Sequence, residues 1–180
     1  MFSGRIKNRP ERHLEVIISG MKKILMVTSI LAIVAGIVMV GGGVWGIIFT
    51  YKNVAQEKIT TPADASIPKA PVLGPLTLKA QADIIRKHTL ETTDGKVFAE
   101  MPRQIQKLDV DGKPVLDADG KPVMTANTAR DMWITATTLN NALNLGIMAY
   151  ALSSFILFLG LVFVWIGAVF CVLGKQKPAL

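Results

Sequence analysis

ILMVTSILAIVAGIVMVGGGVWGIIFT (Ile24–Thr50) and LNLGIMAYALSSFILFLGLVFVWIGAVFCVLG (Leu143–Gly174) contain no Asp, Glu, Lys, Arg or His. A bilayer core of ~30 Å takes about 20 apolar residues at ~1.5 Å each, so either run suffices to cross it as a helix. Each also carries small residues at seven-residue spacing: Ser29, Gly36, Gly43 and Thr50 in the first, Gly146, Ser153, Gly160, Gly167 and Gly174 in the second. Helices in lipid associate by close packing, because lipid tails are as apolar as leucine, and small side chains along one seam let backbones approach. A repeat of seven keeps the seam on its partner when two helices wind left-handed. The two runs are therefore expected to form an antiparallel transmembrane pair, within one chain or between copies. Small residues are common in such helices, and they are sparser in the second run, where a complete register is the stronger signal. Gly42 and Gly46 form a GxxxG that favours a right-handed self-contact instead.

Outward from these runs, charge orients the chain. Residues 1–23 hold six Lys/Arg and two Glu, and Lys175 and Lys177 follow the second run, whereas residues 51–142 hold twelve Lys/Arg against eleven Asp/Glu. Positive charge flanking membrane spans marks the cytoplasmic side. Both termini are thus expected in the cytoplasm, with 51–142 extracytoplasmic, in the plasma (inner) membrane. The formal net charge of +7 is then a topology signal and gives no reason to expect a nucleic-acid partner. With 51% hydrophobic residues and mean hydropathy +0.42, the 180-residue chain is more apolar than a soluble domain of its size. A signal peptide is the alternative for the first run, but its apolar length exceeds the usual h-region and no clear A-x-A site follows. The single cysteine, Cys171, provides no disulfide framework. A lone Cys among apolar residues is more commonly a filler than an acylation site.

The expected organisation is a basic segment 1–23, spans at 24–50 and 143–174, the segment 51–142, and a tail 175–180. Residues 1–20 suit an interfacial turn of helix, and translation starting at Met21 is an alternative reading. Trp45, Tyr51, Trp133 and Tyr150 are expected in the outer interfacial zone, with Trp165 and Phe170 near the cytoplasmic one. Pro62, Pro68, Pro71 and Pro75 forbid regular structure, so that stretch is expected to run extended. A helix is predicted over about 76–90, with Leu78, Ala82 and Ile85 on one face and an Asp83–Lys87 pair, stopped by Asp94-Gly95. DVDGKPVL (109–116) and DADGKPVM (117–124) repeat, each copy a D-G turn followed by an extended Pro-Val. D-x-D-G resembles the start of an EF-hand loop. The twelfth position, where that loop needs Glu, is Gly120 or Thr128. Specific calcium binding is not expected. A last helix is predicted from about 126, flowing into the second run. The fold class is an all-α membrane protein with a small, mainly helical extracytoplasmic segment.

Catalysis needs titratable groups gathered together, and the chain has two histidines. His13 is expected in the cytoplasm and His88 outside, so they cannot share a metal, and Cys171 and His88 lie at opposite faces. No phosphate-binding glycine loop occurs outside the spans, and the spans hold no ionisable group for a proton relay. No cofactor is expected.

KIT-x-P (Lys58, Ile59, Thr60, Pro62), Q-A-x-x-I-x-x-H (Gln81, Ala82, Ile85, His88) and G-K-x-x-A-E (Gly95, Lys96, Ala99, Glu100) occur in this order. With Thr138–Ser153, they resemble a family of small two-span actinobacterial membrane proteins over about residues 22–174. The DGKPV repeat departs from the pattern. Members often carry the label of an aromatic ring-opening dioxygenase. That chemistry implies an iron centre, commonly two His and a carboxylate, which the expected sidedness of His13 and His88 denies. The resemblance therefore implies architecture rather than activity.

The leading expectation is a non-enzymatic cell-envelope protein, an accessory or assembly subunit in a homo-oligomer or larger membrane complex. The first alternative is a ligand-binding or sensing module with an apolar pocket near Ile84, Ile85 and Trp133, to which His88 would contribute. The second is the dioxygenase of the family label.

Overall fold

The computed structural model describes residues 9–176, with side-chain surroundings from residue 16 onward. His13 as a side chain, residues 1–8 and the tail beyond Gln176 therefore lie outside the described residues. The described chain is mostly helical, with α1 at Arg9–Gln56, α2 at Pro75–Thr92 and α3 at Thr128–Lys175. Two short strands, β1 (Gln104–Gln106) and β2 (Met124–Ala126), pair antiparallel between α2 and α3. α1 and α3 are each long and apolar enough to cross a membrane. Each is continuous well beyond its uncharged run, because no proline interrupts either after the first turn of α1. α1 stops where Lys58 takes a left-handed conformation (φ 50°), four residues before Pro62.

The chain divides into two compact units, one ending at Phe49 and resuming at Ala151, the other spanning Thr50–Tyr150. In the first, α1 and α3 lie side by side and run in opposite directions. Met26 lies near Gly174, Ile33 near Gly167, Val40 near Gly160, and Leu157 near Gly43. Away from this contact the helices are bare. Ile30, Leu31, Ile37 and Val38 are all more than 60% exposed, as are Leu152, Phe158 and Trp165. A core helix of a soluble protein buries most of its apolar window; here only 17% and 11% of the two windows are buried.

The second unit is mixed rather than mainly helical, and the reason is proline and D-G chemistry. Residues 57–74 wrap around Thr61, which is 2% exposed. Its hydroxyl donates to the Ile67 carbonyl (2.5 Å) and accepts from the Ala70 amide (2.9 Å). Backbone bonds Thr61 N to Ala70 O and Val72 N to Ile59 O, both 2.9 Å, close the loop. Val72 and Leu78 are nearly inaccessible. α2 starts at Pro75, whose missing N–H costs nothing in the first turn. The Thr77 hydroxyl accepts from the Leu73 and Gly74 amides at 3.0 and 3.1 Å. Asp94 and Gly95, both with positive φ, then turn the chain away.

The DGKP copies adopt one geometry. In each, the first aspartate accepts two backbone N–H groups: Asp109 from Asp111 and Lys113, Asp117 from Asp119 and Lys121, all at 2.8–2.9 Å. The following glycine, Gly112 or Gly120, takes φ +76°, which only glycine adopts without strain. The eight-residue period then closes on itself. Val115 N donates to Lys107 O, Val123 N to Val115 O, and Lys107 N to Val123 O, at 2.8–2.9 Å. Three equivalent positions thus form a closed three-way backbone ring, a result of the repeat that a plain hairpin would not produce.

Candidate functional site

Two places concentrate polar or close-packed chemistry: the seam between α1 and α3, and the face where α2 meets the N-terminal half of α3.

The seam is built from missing side chains. Among the described side chains of α1, the buried positions are Ser29, Gly36, Gly43 and Thr50. A methyl group on Gly36 would come within 2.7 Å of the Gly160 carbonyl oxygen and the Val164 amide nitrogen. One on Gly43 would come within 2.7 Å of the Leu157 amide nitrogen. From the other side, Gly160 faces the Val40 amide at 2.7 Å and Gly167 the Ser29 carbonyl at 2.9 Å. Backbone meets backbone, so dispersion contacts accumulate where a side chain would hold the helices apart. Ser29 adds a buried hydrogen bond, donating to the Gly167 carbonyl at 2.7 Å. Gly46 faces Ser153. Gly42 has nothing within 4 Å of an added Cβ, so the two glycines of the GxxxG do not share one contact. Gly146 stands against Leu78 of α2 and, at 3.9 Å, Val54 of α1, and Gly174 meets Met26 and Leu25.

At the second place, the residues expected to bind a ligand separate. His88 is exposed and its Nε2 pairs with Asp64 Oδ2 at 2.7 Å, tying α2 to the proline-rich loop. This hydrogen bond is the main reason the Asp64 carboxyl is held below its ordinary value; the charges of His88 and Lys87 add to it, and slight desolvation opposes. Ile85 is half-buried and does not line the cleft described next. Trp133 does, but as a fixed wall. It is 5% exposed, and its indole N–H donates to the Lys96 carbonyl at 2.9 Å, with the Thr93 hydroxyl at 3.2 Å. Tyr150 is likewise buried, donating to the Leu73 carbonyl at 2.6 Å, so neither ring is displayed as an interfacial anchor. Trp45 is exposed and stacks on Phe49 at 5.2 Å between centroids.

The cleft itself is polar, which corrects the expectation of an apolar pocket. Its volume is about 270 Å³, and it lies between Lys79, Asp83 and Arg86 of α2 and Thr137, Asn140, Asn141 and Asn144 of α3. Both sets have i, i+3, i+4, i+7 spacing once Ala82 is included, so the lining of each helix falls on one face. Lys79 pairs with Asp83, in place of the expected Asp83–Lys87 pair. Lys87 reaches Glu91 and Asp64 instead, at 3.8 and 3.7 Å. The Arg86 guanidinium lies over the Trp133 ring, 5.7 Å from its centroid. The Asn140 side-chain oxygen is buried with no hydrogen-bond partner. These carboxamides went unremarked in the sequence, although their helical spacing at the edge of the apolar run was available as a signal.

Among the described residues, no three His, Cys, Asp or Glu side chains converge in a set able to hold a metal ion. No protein-family model, curated protein or solved structure matches the chain.

Proposed function

We propose that this chain is a non-enzymatic, two-span protein of the cell-envelope membrane, acting as an accessory or assembly subunit. In this reading α1 and α3 cross the bilayer as an antiparallel hairpin with both ends in the cytoplasm. The 50–150 unit is then displayed outside.

One observation carries the membrane part. α1 buries a single seven-residue register and leaves most of its 27-residue uncharged run exposed. At ~25 cal/mol per Å² of apolar area, so much bare surface is untenable in water, whereas lipid accepts it. The close-packed seam supports a fixed scaffold rather than a moving one, since backbone contacts leave little room for sliding. The test is cross-linking in intact membranes followed by recovery of the full-length protein. A reproducible higher-mass species is the expected outcome. A chain that stays strictly monomeric and captures nothing at saturating cross-linker would count against the subunit role.

A second reading, ligand binding by the displayed unit, is favoured by the polar cleft and its unpartnered Asn140 oxygen.

A further inference from the structure

We infer that the cleft between α2 and α3 binds a phosphate ester bearing free hydroxyls, of the kind found in the glycerol-phosphate headgroup of an anionic lipid. The lipid source rests on the membrane reading above; the binding chemistry does not.

The cleft is lined by two cations and one carboxylate: Lys79, Arg86 and Asp83. Lys79 and Asp83 satisfy each other. Arg86 has no carboxylate partner among the described residues, so the cleft keeps one positive charge, on the group best shaped to grip a phosphate by two parallel N–H bonds. A phosphate ester, whether the diester of a lipid headgroup or a monoester such as glycerol 1-phosphate, carries at least one negative charge to pair with it.

Hydrogen bonding sets the rest of the ligand. The buried Asn140 oxygen needs a donor, which a phosphodiester group lacks and a neighbouring hydroxyl of the ester supplies. Asn141, Asn144 and Thr137 are exposed along the same wall and can both donate and accept. A plain sugar is less well served. The Trp133 ring is 5% exposed with Arg86 over its face, so no aromatic platform is left for a sugar ring to stack upon. At about 270 Å³ the space falls just below the ~300–1,000 Å³ typical of drug-sized ligands, which suits a small headgroup.

The surroundings point to the lipid source. Asn141 and Asn144 share their helix face with Leu145 and Met148, again at i, i+3, i+4, i+7. Those two side chains are 65% and 66% exposed. A polar wall thus passes directly into a bare apolar ridge, in the order headgroup then acyl chain.

The test uses the full-length protein in phosphatidylcholine nanodiscs, following the Asn side-chain amide resonances by NMR. Phosphatidylglycerol is titrated into the discs in one arm, and glycerol 1-phosphate is added to the buffer in the other. Saturable shifts in the first arm only identify a lipid site; saturable shifts with glycerol 1-phosphate identify a soluble ester. Arg86→Gln should weaken the effective binding at least about tenfold, and Arg86→Lys should recover part of it. Asn141→Leu, at an exposed position, should also weaken binding and guards against misfolding of the arginine variants. Absence of saturable shifts in both arms, or binding unchanged by Arg86→Gln and Asn141→Leu, overturns the site. Stable incorporation into the discs is scored separately. If the chain does not incorporate, the membrane reading fails, and glycerol 1-phosphate alone then decides the site.

Discussion

At Gly36 the absence of a single methyl group holds two backbones together. Gly36→Ala or Gly160→Ala places a carbon 2.7–2.8 Å from the facing backbone oxygen. Each should weaken the α1–α3 contact by about 1–3 kcal/mol, the usual range for overpacking. Gly41→Ala and Gly42→Ala meet nothing within 4 Å and should cost nothing, so the difference between the two pairs in a steric-trap unfolding assay isolates the seam. Ser29→Ala removes the bond to the Gly167 carbonyl and should cost roughly 0.6 kcal/mol, typical of interhelical hydrogen bonds in membranes. Asp64 behaves differently, because its contribution depends on pH. Its carboxyl titrates lower in the folded chain than the ordinary value of 3.8, chiefly because His88 hydrogen-bonds to it. The stabilisation is therefore present above the unfolded value and is lost as pH falls through the lower folded one. Thermal unfolding of the wild type should become more acid-sensitive from about pH 4 downward than that of Asp64→Asn. Parallel pH profiles for the two proteins would remove the His88–Asp64 link from the account.

At the scale of elements, the end of α2 is fixed to α3 by one indole. Trp133→Phe removes the indole N–H and leaves a gap where the second ring was; the Lys96 carbonyl keeps the Thr93 hydroxyl at 2.7 Å, so the lost bond and the gap together should cost about 1–3 kcal/mol. Faster hydrogen exchange at Thr93 and Lys96, with α1 unaffected, is the expected signature. The seven-residue spacing of Ser29, Gly36 and Gly43 is legible in the sequence, because a helix of known period turns spacing directly into a face. Proline and D-G placement likewise indicated where helix was impossible. The cleft could not be read in that way. Asn140 and Arg86 are 54 positions apart, and only the docking of α2 on α3 brings their faces together. The fates of Trp133 and Tyr150 were hidden for a related reason. An aromatic ring with a polar tip suits a membrane interface and a buried hydrogen bond equally well, and the acceptors, Lys96 and Leu73, lie on other elements. The three-way ring at Lys107, Val115 and Val123 requires the period of eight to be extended back before the first copy, to Lys107.

For the molecule as a whole, the compartment each part of the chain occupies decides what the seam and the cleft can meet. The basic residues near the ends and the nearly neutral middle favour cytoplasmic termini, and the exposed apolar faces of α1 and α3 favour lipid. If both hold, the glycine seam fixes the hairpin and the cleft opens on the outer side, where an envelope ligand would meet it. The most direct measurement is cysteine accessibility in intact cells, using a membrane-impermeant maleimide on full-length protein carrying Cys171→Ser. Lys22→Cys and Gln176→Cys should label only after lysis, while Gly112→Cys should label in intact cells. Labelling of either end together with Gly112→Cys before lysis would contradict the antiparallel two-span hairpin.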